Sequence, residues 1–314
     1  MTSPPVETDG RVAVDPVASA HATGAGGPPA SAPAVDLAPA PDPAPGRGSA
    51  RALRPASVLD RVPVLELGSL GARGAEQMAL DERLLDGIGL SGTGATGVVL
   101  RRYTWTPAAV SLGKFQRVAD DAIERLRAAG LDVARRPSGG RLVLHGAAFE
   151  WSFAVALPAG LLPYGTDPAY RLVAGAMTVA LDSLGHTPDG DRGRGRDEPY
   201  ARSALCFATA LRHDLLLRGR KAVAVAQVRR GGRLLVHGSV LERRPPAKLV
   251  AAVEAALGEP WRGDGFIGSA PGRTDGAPDR ELLWRTFVVA LSDSLAGRSV
   301  ESPADRDPAP EEAT

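Results

Sequence analysis

Apolar positions recur along this chain in two rhythms. Met78, Leu84, Leu85 and Ile88 share one face of residues 77–88, and Ala122, Ile123, Leu126 and Ala129 share one face of residues 119–129. That spacing predicts two amphipathic helices. Short apolar runs bounded by turn residues predict strands over residues 98–103, 108–112, 131–134 and 142–144. In residues 149–157, Trp151, Phe153, Val155 and Leu157 alternate with small residues, as in a half-buried strand. A long helix is predicted over residues 168–184, then a polar loop over residues 188–200. Strands follow at residues 212–217, 222–228 and 234–240, and the last two are joined by Arg230-Gly231-Gly232-Arg233 at hairpin spacing. Helices over residues 247–257 and 280–295 close the pattern. Consecutive hairpin strands beside segregated helices predict an α+β domain with a mixed, largely antiparallel sheet rather than a doubly wound parallel one.

The rhythm is absent at both ends. Residues 1–56 are rich in Pro, Ala and Gly and hold no aromatic residue, and residues 297–314 set three prolines among acidic side chains. Neither composition can bury enough apolar surface to offset its ordering entropy. A disordered leader, one domain over residues 57–296 and a disordered tail are therefore expected. Of the 314 residues 44% are hydrophobic, so the domain can bury a sizeable core.

Charge then narrows the partners. Lys plus Arg number 37 and Asp plus Glu 36, leaving a formal charge of +1. No general attraction to nucleic acid or to an anionic membrane is expected, so partners must be read by local patches. No run reaches the roughly 18 to 20 apolar residues of a membrane span, and no basic segment followed by an apolar one opens the chain. A cytoplasmic location is the expectation, and the thiol there would stay reduced.

That thiol is Cys206, the only cysteine, which stands fifteen residues before Lys221. It is either a small core hydrophobe or a nucleophile. Its company favours the nucleophile: Arg135-Arg136-Pro137-Ser138-Gly139-Gly140-Arg141 leading to His145, the segment Gly219-Arg220-Lys221, and His237-Gly238-Ser239. Each element also has a plain structural reading. Lys221 alone is a strand-edge charge, Ser138-Gly139-Gly140 a tight turn, His145 and His237 packing residues, and Trp105 and Trp151 core aromatics. No glycine-rich phosphate loop ending in Gly-Lys-Ser or Gly-Lys-Thr is present.

Four segments in register, Glu76 to Glu82, Trp105 to Gln116, Arg135 to His145 and Gly219 to Gln227, resemble the catalytic domain shared by lipoate-protein ligases and the octanoyltransferases of lipoate synthesis. The resemblance covers residues 64–245 and implies a biotin/lipoate ligase-like fold. The ligases make an acyl-adenylate from ATP and typically carry a third glycine where this chain has Arg141. The cysteine-dependent transferases are similar to this chain at Gly139-Gly140-Arg141 and at Cys206-Phe207, with the same cysteine-to-lysine spacing.

That branch implies Cys206 and Lys221 as catalytic residues. Arg136, Ser138, Gly139, Gly140, Arg141, His145, His237 and Gly238 are implied to bind substrate, with no metal site. It also implies an octanoyl or lipoyl group moved from an acyl carrier protein to a lysine of a lipoyl domain or a glycine cleavage H-type protein, without a cofactor. An ATP- and Mg-dependent lipoate ligase and a non-catalytic acyl-binding relative remain the alternatives. Two positions depart from the family: Ala224-Val225 stands where relatives have Gly-Ser, and Gly146 where they have Asp after the histidine. Gly193-Arg194-Gly195-Arg196 is similar to a nucleotide loop of the related biotin ligases, but it lies in the polar loop and leads into no strand, so it is read as coincidence.

Overall fold

A computed structural model describes residues 64–87, 97–189, 203–263, 265–268 and 279–297. The leader over residues 1–56, the Gly193-Arg194-Gly195-Arg196 segment and the tail beyond Gly297 lie outside the described residues.

The central strand is β6 (Glu150–Pro158), and its composition explains the layering. Trp151, Phe153, Val155 and Leu157 face one side, where they pack with α3 (Asp167–Ser183) and α5 (Arg280–Leu295) through Val173, Met177, Leu283, Trp284 and Phe287. The intervening small residues, among them Ala154 and Ala156, face α1 (Gly74–Leu85) and its Met78, Leu84 and Leu85. Small side chains let a helix approach this face closely. The strand is therefore buried on both faces, and not on one as the alternation predicts. Each large side chain in the α3–α5 layer contributes about 1.5 to 3 kcal/mol by leaving water.

Around β6 the sheet has six strands. The first three named here are β1 (Val64–Ala72), β2 (Val98–Trp105) and β7 (Leu215–Leu217), and β8 (Arg220–Arg230) and β9 (Arg233–Leu241) complete it in the order β1-β2-β6-β9-β8-β7. Only β1 and β2 run parallel within it. The β8–β9 turn is the predicted hairpin: Gly231 and Gly232 adopt φ of 56° and 74°, a left-handed conformation that glycine tolerates. A second, three-stranded sheet in the order β4-β3-β5 joins β3 (Ala109–Leu112), β4 (Asp132–Arg135) and β5 (Val143–His145). It is covered by α2 (Asp120–Ala128) and α4 (Ala247–Leu257) through Leu126, Leu131, Leu142, Leu144 and Val253.

The α+β class thus stands, with two sheets where one was expected. Two elements differ. β1 is missed by the pattern because its two glycines interrupt any alternation. The strand predicted over residues 212–217 is only Leu215–Leu217, because the Asp214 carboxylate accepts the Leu211 amide at 2.7 Å and turns the chain there.

Candidate active site

The two sheets face each other across a cavity of about 170 Å³. β5 brings His145 to its wall, and the turn after β4 brings Arg136, Gly139 and Gly140. β8 supplies Lys221, Ala224 and Val225, and β9 supplies His237 and Gly238. Cys206 also lines it, at the start of a short 3-10 turn, Cys206–Ala208. Backbone bonds fix that turn to the small sheet: Leu142 N–H donates to Ala204 O at 2.9 Å, and Cys206 N–H donates to Leu142 O at 2.8 Å. The thiol is partly exposed and packs against Val143, Phe207 and Ala224.

Lys221 closes on it from the large sheet. Its Nζ lies 3.6 Å from Cys206 Sγ and 2.8 Å from Asp214 Oδ2, and the Phe207 ring centroid is 5.5 Å away. The lysine and aspartate side chains are 2% and 3% exposed. Burial alone would lower the Lys221 pKa, but negative charge on Cys206 and Asp214 more than offsets it and holds the ammonium pKa above its ordinary value. Asp214 was not found in the sequence. The cue was the Arg218-Gly219 turn between β7 and β8, disguised because Arg218 takes a positive φ of 55° without being glycine.

Both histidines belong to buried chains of hydrogen bonds. His237 Nδ1 meets Asp81 Oδ2 at 2.8 Å and its Nε2 meets Ser138 Oγ at 2.6 Å. Asp81 is further bound by Arg101 Nε at 2.9 Å and by the Tyr103 hydroxyl at 3.2 Å. Burial would raise the Asp81 pKa, yet Arg101 and His237 hold it below the usual value, so it is ionised. Tyr103 is pushed well up by burial and by the charge of Asp81. His145 Nδ1 meets Glu150 Oε1 at 3.1 Å, and its Nε2 meets Ser111 Oγ at 2.7 Å. The Trp105 ring stacks on it at 4.0 Å. Burial holds the His145 pKa down despite Glu150, and Arg136 and His237 push the same way, so the ring is neutral at neutral pH. Asp81, Glu150 and Ser111 were also missed. Their role is visible only once three elements converge.

The remaining expected residues divide. Arg136 Nη1 donates to Ser111 O at 2.7 Å, and its Nη2 donates to Arg141 O at 2.8 Å, so the guanidinium holds the Ser138-Gly139-Gly140 turn in shape. Ser138 is 1% exposed and bonded to His237, so it supports the wall without lining it. Arg141 contributes its carbonyl to the turn and lies outside the lining. Gly238 lines the cavity but is fixed by packing: a Cβ there would lie 2.5 Å from the Phe153 ring. Trp151 is a core aromatic, 0% exposed, whereas Trp105, 2% exposed, also lines the cavity.

Comparisons with known proteins place the chain in a family. The family model for the lipoyl protein ligase A/B catalytic domain matches residues 73–256. The chain is 37% identical over 172 residues to the octanoyltransferase LipM of Symbiobacterium thermophilum, an alignment covering 54% of this chain and 61% of that protein. It is 34% identical over 180 residues to the protein of the same name from Lysinibacillus sphaericus, covering 55% and 64%. The chain thus spans about three fifths of the length of these curated relatives. Among solved structures, a lipoate-protein ligase A bound with ATP matches with a TM-score of 0.53 at 18% identity over 77% of this chain and 88% of that one. P. falciparum LipL1 in complex with lipoate matches with a TM-score of 0.52 at 16% identity, over 74% and 60%. At such identities the likeness is one of fold.

Proposed function

Because the chain belongs to the lipoyl protein ligase A/B catalytic domain family, its match covering residues 73–256, we propose that it is a cysteine-dependent octanoyltransferase of protein lipoylation. The observation that carries this reading is the pairing of the sole thiol with a buried ammonium, 3.6 Å apart, on the wall of a largely apolar cavity.

Cys206 as thiolate attacks the carbonyl of an octanoyl thioester on a carrier protein. The new C–S bond forms as the carrier's sulfur leaves and takes a proton. Cys206's own amide is committed to Leu142 O, which leaves the Lys221 ammonium as the cation beside the developing oxyanion. The acyl chain lies against Met78, Val143, Ala224 and Val225, at about 0.8 kcal/mol per buried methylene. A neutral lysine of a lipoyl domain, or of a glycine cleavage H-type protein, then attacks the acyl-enzyme. The C–N bond forms, the C–S bond breaks with Cys206 leaving as thiolate, and the nitrogen gives its proton to solvent. A thioester already holds the acyl group at useful energy, so no nucleotide enters the balance. A reducing cytoplasm suits the single free thiol.

The departures from the family pattern support the same route. Ala224 and Val225 add methyl groups to the acyl wall. At Gly146, where ligases are expected to have a carboxylate, a Cβ would lie 2.5 Å from the Phe149 ring.

The test is mass analysis of a lipoyl domain incubated with octanoyl carrier protein and the enzyme without ATP. The wild type is expected to octanoylate the domain, and Cys206→Ser to leave it unmodified, because a serine hydroxyl without a strong base is a poor nucleophile. Modification that needs ATP and free octanoate, and survives Cys206→Ser, would assign the chain to the ligases instead.

A further inference from the structure

Acylation of Cys206 creates a hazard within the site itself. A thioester carbonyl on Sγ would sit within attacking range of Lys221 Nζ, which is 3.6 Å from that sulfur. A neutral amine there would take the acyl group: the C–N bond forms, the C–S bond breaks, the sulfur leaves as thiolate, and the nitrogen's proton passes to it. The resulting amide is inert: Lys221 is spent, and Cys206 is freed without its cation.

Charge is what prevents this, because an ammonium has no lone pair to attack with. While Cys206 is a thiolate, two anions support the charge of Lys221; once acylated, the sulfur supports none. Asp214 then stands alone. It is the only carboxylate among the described residues lining the cavity, whose other charged or titratable groups are Arg136, His145, His237, Tyr103 and Tyr170. Its position is fixed independently of the lysine: Oδ2 accepts the Leu211 amide at 2.7 Å and Oδ1 the Val225 amide at 3.4 Å.

We infer that Asp214 is a positioning residue that holds the Lys221 amine protonated beside the acyl-enzyme, and so commits the acyl group to the external acceptor rather than to Lys221. This inference rests on the reading of Cys206 as the acyl carrier. A carboxamide at the same place would keep the shape and, with its oxygen toward Leu211, the shorter backbone bond, but lose the longer Val225 bond and the charge. Buried and unsupported, Lys221 would then surrender its proton.

The experiment compares wild type with Asp214→Asn, each acylated by octanoyl-N-acetylcysteamine without acceptor and then treated with hydroxylamine, which cleaves thioesters and spares amides. The wild-type adduct is expected on Cys206 and fully labile. In Asp214→Asn a resistant adduct is expected on Lys221, growing with time and with pH. A fully labile adduct in the variant overturns the inference. If the variant fails to fold, the wild type decides alone: its resistant adduct should appear only in strongly alkaline solution, and its appearance near neutrality overturns the inference. A second measurement needs no acyl donor. Cyanate reacts with neutral amines only, and Lys221 is expected to be carbamylated at least about tenfold faster in the variant, the factor for one pKa unit. Equal rates overturn the inference. A tenfold difference in a protein that takes no acyl group would show that Asp214 keeps Lys221 charged, but would remove the transferase reading and with it the inference.

Discussion

The Lys221 ammonium is held between a thiol at 3.6 Å and a carboxylate at 2.8 Å, so its removal has two separable consequences. Lys221→Ala is expected to slow transfer about a hundredfold to a thousandfold, the usual effect of deleting one oxyanion donor, or about 2.7 to 4 kcal/mol. It also strands Asp214, and breaking a buried pair on one side destabilises by about 3 to 5 kcal/mol. The Lys221→Ala/Asp214→Ala double variant should recover much of the melting temperature and none of the rate. Recovery of rate would place the lysine outside the chemistry. At this scale the sequence announced Cys206 and Lys221 through their spacing, and His145 and His237 through their motifs. Asp214, Asp81 and Glu150 stayed hidden because each earns its role from a partner on another element: Asp81 on α1 reaches His237 on β9, 156 residues away.

Among the elements, the turn after β4 is set by a close approach that only glycine permits. A Cβ on Gly113 would lie 2.0 Å from Gly140 O, and the neighbouring Lys114 amide donates to Ser138 O at 2.8 Å. Gly113→Ala is therefore expected to push the Gly139–Gly140 wall away from Cys206. Overpacking of this kind costs about 1 to 3 kcal/mol, and kcat/KM for transfer should fall with it; unchanged kinetics and melting temperature would mean that the turn yields freely. Helices and hairpins were legible wherever periodicity was strong: α4 and α5 lie where the spacing places them. β6 was recognised as a strand, but its second buried face was not, because small residues opposite a helix read the same as small residues opposite water. β1 carries no alternation to read.

The molecule as a whole packs a layer of buried polar groups between its two sheets, and this layer couples stability to pH. His145, in this layer, has its pKa held below the ordinary value, chiefly by burial, and so does His186, which follows α3 outside the layer. As pH falls below about 6.5, the unfolded chain takes up protons that the folded chain refuses, so stability declines. The melting temperature should drop as pH falls below about 6.5, and drop less in His145→Gln; a flat profile in the wild type would contradict the buried, neutral assignment. The α+β class and the grouping of Cys206 with Lys221, the 135–145 segment and His237 were legible from sequence. The division into two facing sheets was not, since strand pairing between distant segments leaves no local signal. The most direct test of the account is the intact mass of the protein after incubation with octanoyl carrier protein, without ATP and without acceptor. A single octanoyl adduct, released by hydroxylamine and mapped to Cys206, is the predicted result. An unmodified protein that instead forms octanoyl-adenylate when ATP and free octanoate are supplied would contradict it.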